Sequence, residues 1–87
     1  MKEGRSVTEF DVIVNSPSKL IWEGKATSVS SENSKGKFDI LPEHANFITM
    51  IEDKPITIRT GTTDRTLRYD NAVLSVKSGN VTIYAGI

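Results

Sequence analysis

Gly36-Lys37-Phe38-Asp39-Ile40-Leu41-Pro42-Glu43-His44-Ala45 joins an alternating segment to a proline-fixed turn that carries the one histidine of the chain. Phe38 and Ile40 alternate with Lys37 and Asp39, the period of two that suits a strand buried on one face. Pro42 ends that strand. Its ring fixes its own φ and biases Leu41 towards extended geometry, so the chain turns through Glu43 and His44. A second strand then begins, running Asn46-Phe47-Ile48-Thr49-Met50-Ile51.

The same grammar extends in both directions. Upstream, residues 1–6 are polar and expected to be loose, and a first strand is predicted over Val7 to Val14 with Phe10, Val12 and Val14 on one face. Asn15-Ser16-Pro17-Ser18 turns the chain. Leu20 and Trp22 are expected to share a face of a short strand that Gly24 breaks. A third strand, Lys25 to Ser31, has only Ala26 and Val29 to bury and is expected to be an edge guarded by Lys25 and serines. Ser31 to Gly36 is expected to be a polar loop. Downstream, Glu52-Asp53-Lys54-Pro55 turns into Ile56-Thr57-Ile58-Arg59. With Gly61 to Asp64 as the loop, Ile58 should face Leu67 and Ile56 should face Tyr69, leaving Arg59 and Arg68 to solvent. Asp70-Asn71 leads into Ala72 to Lys77, and Ser78-Gly79-Asn80 is a tight hairpin signal before Val81 to Tyr84. No window has helical spacing. Eight to ten short strands at close intervals predict an all-β sandwich or barrel in one domain, residues 7–87.

Composition narrows the function. A chain of 87 residues hides only about 60 to 65 percent of the surface its unfolded form exposes, so a deep internal active site is hard to build. The absence of cysteine excludes disulfides and thiolate metal sites. Eleven basic residues balance eleven acidic ones, which is not the electrostatic footprint of a nucleic-acid binder. No apolar run approaches the roughly 20 residues that cross a bilayer as a helix, and Met1 to Ser6 has no hydrophobic signal core behind it.

The candidate sites are few. His44 as a general base lacks a nucleophile or partner carboxylate in the pattern, and as a metal ligand it lacks companions, so no catalytic or metal site is assigned. Asp39 and Glu43 are the nearest carboxylate pair, but the proline turn separates them. Ser34-Lys35-Gly36-Lys37 looks superficially like a phosphate loop, yet it opens a strand and lacks the upstream glycine, so no nucleotide or other cofactor is expected. Arg59, Arg65, Arg68 and Lys54 lie without interleaved aromatics, the pattern of a solvated sheet face. Asn80-Val81-Thr82 fits a glycosylation pattern but has no secretory signal beside it. Trp22 and Tyr84 suit the core or rim, and as exposed aromatics would suit a sugar site.

Glycine, a short alternating strand, Ile40-Leu41-Pro42, one residue, His44-Ala45 and an apolar strand together resemble the N-terminal β-sandwich domain of the ε subunit of F-type ATP synthases. The likeness continues in order through Asp11 to Pro17, Leu20 to Gly24, Ala72 to Val76 and Asn80 to Tyr84. It implies a flattened two-sheet sandwich and a non-catalytic place in the central stalk, coupling ion-driven rotation of the c-ring to ATP synthesis. It also implies the partners. Leu41, Pro42, His44, Ala45 and Ser16 are expected to meet the γ subunit at one face. Ser34, Lys35, Gly36 and Lys37 are expected to meet the c-ring, with positive charge where the family often has acidic residues. Membrane association would come only through the complex, at the cytoplasmic face of the inner membrane if the source is bacterial. Because the chain stops at Ala85-Gly86-Ile87, no ATP site and no helical latch are expected. The alternatives are a free-standing carbohydrate- or peptide-binding module using Trp22, Tyr84 or a sheet edge, and a small enzyme using His44.

Overall fold

Alternating branched residues resolve into nine strands in the computed structural model, which describes residues 8–86 and has no helix among them. They are β1 (Phe10–Asn15), β2 (Leu20–Ala26), β3 (Ser28–Asn33), β4 (Gly36–Ile40), β5 (Phe47–Ile51), β6 (Pro55–Arg59), β7 (Asp64–Arg68), β8 (Ala72–Lys77) and β9 (Asn80–Ala85). Two sheets face each other, one in the order β2-β1-β9-β8-β5 and the other β4-β3-β6-β7. The inward side chains are mostly Val and Ile, which suit a half-buried pleated surface. Val12, Val14, Val29, Ile40, Ile56, Ile58, Leu74 and Ile83 are all fully buried. The all-β, two-sheet expectation holds.

β1 and β9 pair in parallel, from Val12 with Val81 to Asn15 with Tyr84. That pairing joins the first and last strands at the centre of the larger sheet. An aromatic contact closes each open side of the sandwich. On one, Phe38 of β4 meets Phe47 of β5 edge to face at 5.5 Å. On the other, the Arg65 guanidinium of β7 lies 5.3 Å from the centre of the Trp22 ring of β2.

Several local expectations need correction. β1 starts at Phe10 and ends at Asn15, and Val7, residues 1–6 and Ile87 lie outside the described residues. Gly24 does not end β2, which continues through Lys25 to Ala26. Thr27 is the break. Its N–H and its Oγ1 both donate to the Arg59 carbonyl at 2.7 and 3.1 Å, and there the chain crosses to the other sheet. β3 is then an interior strand between β4 and β6. It lacks large side chains because Ser31 is buried and donates to the Pro55 carbonyl at 3.0 Å. Leu20 and Trp22 do not share a face: a bulge at Val14/Asn15 leaves Trp22 opposite Val14 and Leu20 opposite Asn15.

The polar stretch Ser31 to Gly36 is mostly strand. Asn33 pairs with Gly36, leaving Ser34-Lys35 as a two-residue turn, with the Lys35 N–H donating to Asn33 Oδ1 at 2.9 Å. In the β6–β7 hairpin, Arg59 pairs with Asp64, so Ile58 faces Arg65 and Ile56 faces Leu67. Thr60 to Thr63 closes the turn, with the Thr60 N–H and Oγ1 donating to the Thr63 carbonyl. The expected register is off by two residues, which preserves every side chain's face because the strand period is two.

Candidate interaction surfaces

Leu41-Pro42-Glu43-His44 folds as a tight turn in which the His44 N–H donates to the Leu41 carbonyl at 3.1 Å. Glu43 adopts φ 66°, a left-handed conformation that costs a non-glycine residue about 1 kcal/mol or more. The neighbouring hairpin supports the turn. Ser78 and Gly79 both have positive φ, 52° and 81°, as a type I′ turn requires. The Ser78 N–H donates to Asn46 Oδ1 at 2.9 Å, which ties the segment after the turn to that hairpin. Between them lies an open hollow of about 500 Å³ whose lining includes Glu9, Glu43, His44 and Asn80.

His44 is half-buried. Its ring meets Phe47 edge to face at 5.8 Å, and its Nδ1 donates to the Ala45 carbonyl at 2.7 Å. Leu41 beside it is 54% exposed, and Ala45 is exposed as well. Among the described residues no group of three or more His, Cys, Asp or Glu side chains is placed to hold a metal ion.

Ser16 is organised but lies elsewhere. Its Oγ accepts from the Lys19 N–H at 3.1 Å and donates to the Lys19 carbonyl at 3.2 Å, closing the β1–β2 turn. Asn15 sits in a row across the larger sheet with Tyr84, Val73 and Met50. That row is at the far end of the sheet from Phe47 and His44. The Ser34-Lys35 turn shares this far end: Asn33 Nδ2 donates to Thr49 Oγ1 at 3.0 Å, and Ser34 borders a recess with Met50, Glu52 and Lys54. Lys35 and Lys37 are exposed, and Gly36 takes φ 124°, which favours glycine. The residues expected at the γ contact are therefore split: Leu41, Pro42, His44 and Ala45 lie together, and Ser16 lies at the opposite end, which the lysine-bearing hairpin shares at the β5 side of the sheet.

Register shows what strand spacing alone did not. The outward side chains of the larger sheet include Leu20, Tyr84, Val73 and Met50 in one row and Ile13 and Ile48 in the next. Exposure reaches 53% for Leu20, 45% for Tyr84, 47% for Met50 and 70% for Ile48. Tyr84, Val73, Met50 and Ile48 thus form an apolar patch that starts at the Ser16 end and runs along β5 towards the His44 end, with Asn15 between Tyr84 and Leu20 and with Thr82 and Ser75 between Ile13 and Ile48. Alternation within each strand hints at single apolar outward residues, but their alignment into rows needs the sheet order β2-β1-β9-β8-β5. The half-buried Trp22 ring packs on the core and lies under Arg65.

The comparisons with known proteins fit this geometry. The family model for the ATP synthase delta/epsilon chain β-sandwich domain matches residues 9–86. The ATP synthase epsilon chain of Corynebacterium jeikeium (strain K411) is 34% identical over 67 residues, covering 75% of this chain and 54% of that one. The ATP synthase epsilon chain of Leptospira interrogans serovar Lai is 28% identical over 78 residues, covering 90% and 61%. The chain spans only part, 54% and 61%, of the length of these curated relatives. Among solved structures, a chain of the Euglena gracilis mitochondrial ATP synthase (OSCP/F1/c-ring) superposes with a TM-score of 0.82 at 11% identity, over 97% of this chain and 54% of that one. A chain of the Tetrahymena thermophila mitochondrial ATP synthase central stalk and c-ring gives 0.77 at 10% identity, over 90% and 63%. At such identities the superpositions speak for the fold alone. With the family match running from Glu9 to Gly86 through all nine strands, the chain belongs to the ATP synthase delta/epsilon chains, of which it carries the β-sandwich domain.

Proposed function

We propose that this chain is a non-catalytic subunit of the central stalk of an F-type ATP synthase, held between the γ subunit and the c-ring and passing ion-driven ring rotation to the catalytic head. One observation supports this most: the apolar patch of Tyr84, Val73, Met50 and Ile48 on the outer face of the larger sheet. Exposed apolar side chains aligned across neighbouring strands mark a protein interface. A γ subunit lying along that patch meets the Leu41–Ala45 turn at one end and Ser16 at the other, reuniting contacts that the fold separates. The exposed Lys35 and Lys37, at the Ser16 end, then face the c-ring and select an acidic surface on it.

The sandwich contributes rigidity. Two packed sheets transmit torque without a moving part, and the strength of the grip comes from buried interface area. A lasting contact of this kind buries more than roughly 2,000 Å² in total. The complex, and not lipid, holds the chain at the membrane, at the cytoplasmic face of the inner membrane in a bacterium.

Co-expression with the γ subunit of the same source, followed by size-exclusion chromatography, tests the proposal. A one-to-one complex that His44→Glu weakens is the expected result. Failure of the two chains to associate at micromolar concentration would overturn it.

A further inference from the structure

Among the described residues the sandwich has four edge strands, β2 and β5 in the larger sheet and β4 and β7 in the smaller. Proteins guard such edges with charge, proline or bulges, because a bare edge offers unpaired N–H and C=O groups to any extended chain. Three of the four are guarded here. β2 carries Glu23 and Lys25 and is bulged at its start. β4 carries Lys37 and Asp39, and β7 carries Asp64, Arg65 and Arg68.

β5 is different. Phe47-Ile48-Thr49-Met50-Ile51 has no charge, proline, glycine or bulge, and every residue but Met is a strong β-former. It pairs with β8 alone among the described strands. Its outward side chains, Ile48 and Met50, are 70% and 47% exposed, and Val73 and Tyr84 continue the apolar surface inward from the edge. A flat, uncharged, apolar edge is an aggregation hazard when nothing covers it.

We infer that β5 is a strand-addition site: an extended, uncharged segment of the partner that takes the Leu41–Ala45 turn pairs with its free edge and enlarges the sheet to six strands. This rests on the proposed function and deepens it. The occupant must be extended backbone, because only a backbone supplies donors and acceptors at the spacing a strand edge presents. Its outward residues are apolar, to pack on Ile48 and Met50. It belongs to the partner at the turn because Ala45 and Asn46 lead directly into Phe47, so one contact continues into the other. A second copy of this chain is disfavoured, since pairing along five residues falls well short of the roughly 800 Å² per partner of a standard stable interface.

The test follows amide exchange residue by residue by NMR, in the chain alone and in its complex with the γ subunit. The β5 amides that point away from β8 should exchange at least tenfold more slowly in the complex. A complex whose β5 amides exchange as in the free chain overturns the inference and leaves the stalk reading standing. Protection of the same amides in concentrated free chain would make a second copy the occupant and also overturn it. No complex at all would remove the stalk reading and this inference together.

Discussion

A Cβ built on Gly24 would lie 2.7 and 2.9 Å from Cζ2 and Cη2 of Trp22, so the indole ring lies directly over that glycine. The ring in turn carries Arg65. Gly24→Ala gains about 0.4–1 kcal/mol from a stiffer unfolded chain but pushes the ring from its site at a cost of about 1–3 kcal/mol. The overpacking wins. We expect a lower Tm and an altered tryptophan fluorescence spectrum; unchanged values for both would show that the ring moves freely.

A second residue-scale prediction concerns Lys25, whose Nζ is 2.8 Å from Asp11 Oδ1. The hydrogen bond to Asp11, and then its charge, raise the lysine pKa above its ordinary value. A value raised on folding gives stability that is present at neutral pH and is lost as the pH rises through the folded value. The Tm difference between the protein and its Asp11→Asn variant should therefore be small at pH 7, shrink with added salt and vanish in strongly alkaline solution. A difference that grows with pH would contradict the pair. Neither contact was legible in the sequence. Gly24 there looks like a strand breaker, and nothing in the spacing announces that Trp22 and Arg65 meet from different sheets.

At the scale of elements, the strand–turn–strand unit around Pro42 and the hairpin at Ser78-Gly79 were legible because proline fixes its own φ and glycine supplies the positive φ that a tight hairpin turn requires. β3 was not. A strand is judged an edge when it offers little to bury, but Ser31 enters the core through a hydrogen bond to a backbone carbonyl, which apolar counting does not register. The β6–β7 register was also out of reach, since Thr60 hydroxyl bonding and not glycine position closes the loop. The Phe38–Phe47 contact joins the two sheets beside the candidate turn, and His44 is the second edge-to-face partner of Phe47. Phe47→Leu keeps most of the apolar area and loses both edge-to-face contacts. It should destabilise by about 1–2 kcal/mol, following about 0.5–1.5 kcal/mol for an aromatic pair with a small packing loss. Urea unfolding measures this; a change below a few tenths would mean that the rings contribute area only.

For the whole molecule, the parallel pairing of β1 with β9 ties the first and last strands together inside the larger sheet and places its outward apolar side chains on a single face. The all-β class and the family likeness were legible because local alternation and turn chemistry run through every segment. Sheet order was not, because it depends on which distant strands share an edge. So the proposed binding face, a product of sheet order, emerges only from the folded chain, whereas the Leu41–Ala45 turn, a product of local sequence, was visible at once. We propose that this domain joins γ to the c-ring. The most direct measurement is ion-driven ATP synthesis by the cognate synthase stripped of its ε subunit and reconstituted in vesicles, with the chain added back. Synthesis should recover with the chain and recover less with His44→Glu; the same rate with and without the chain, despite its binding, would rule out a coupling role.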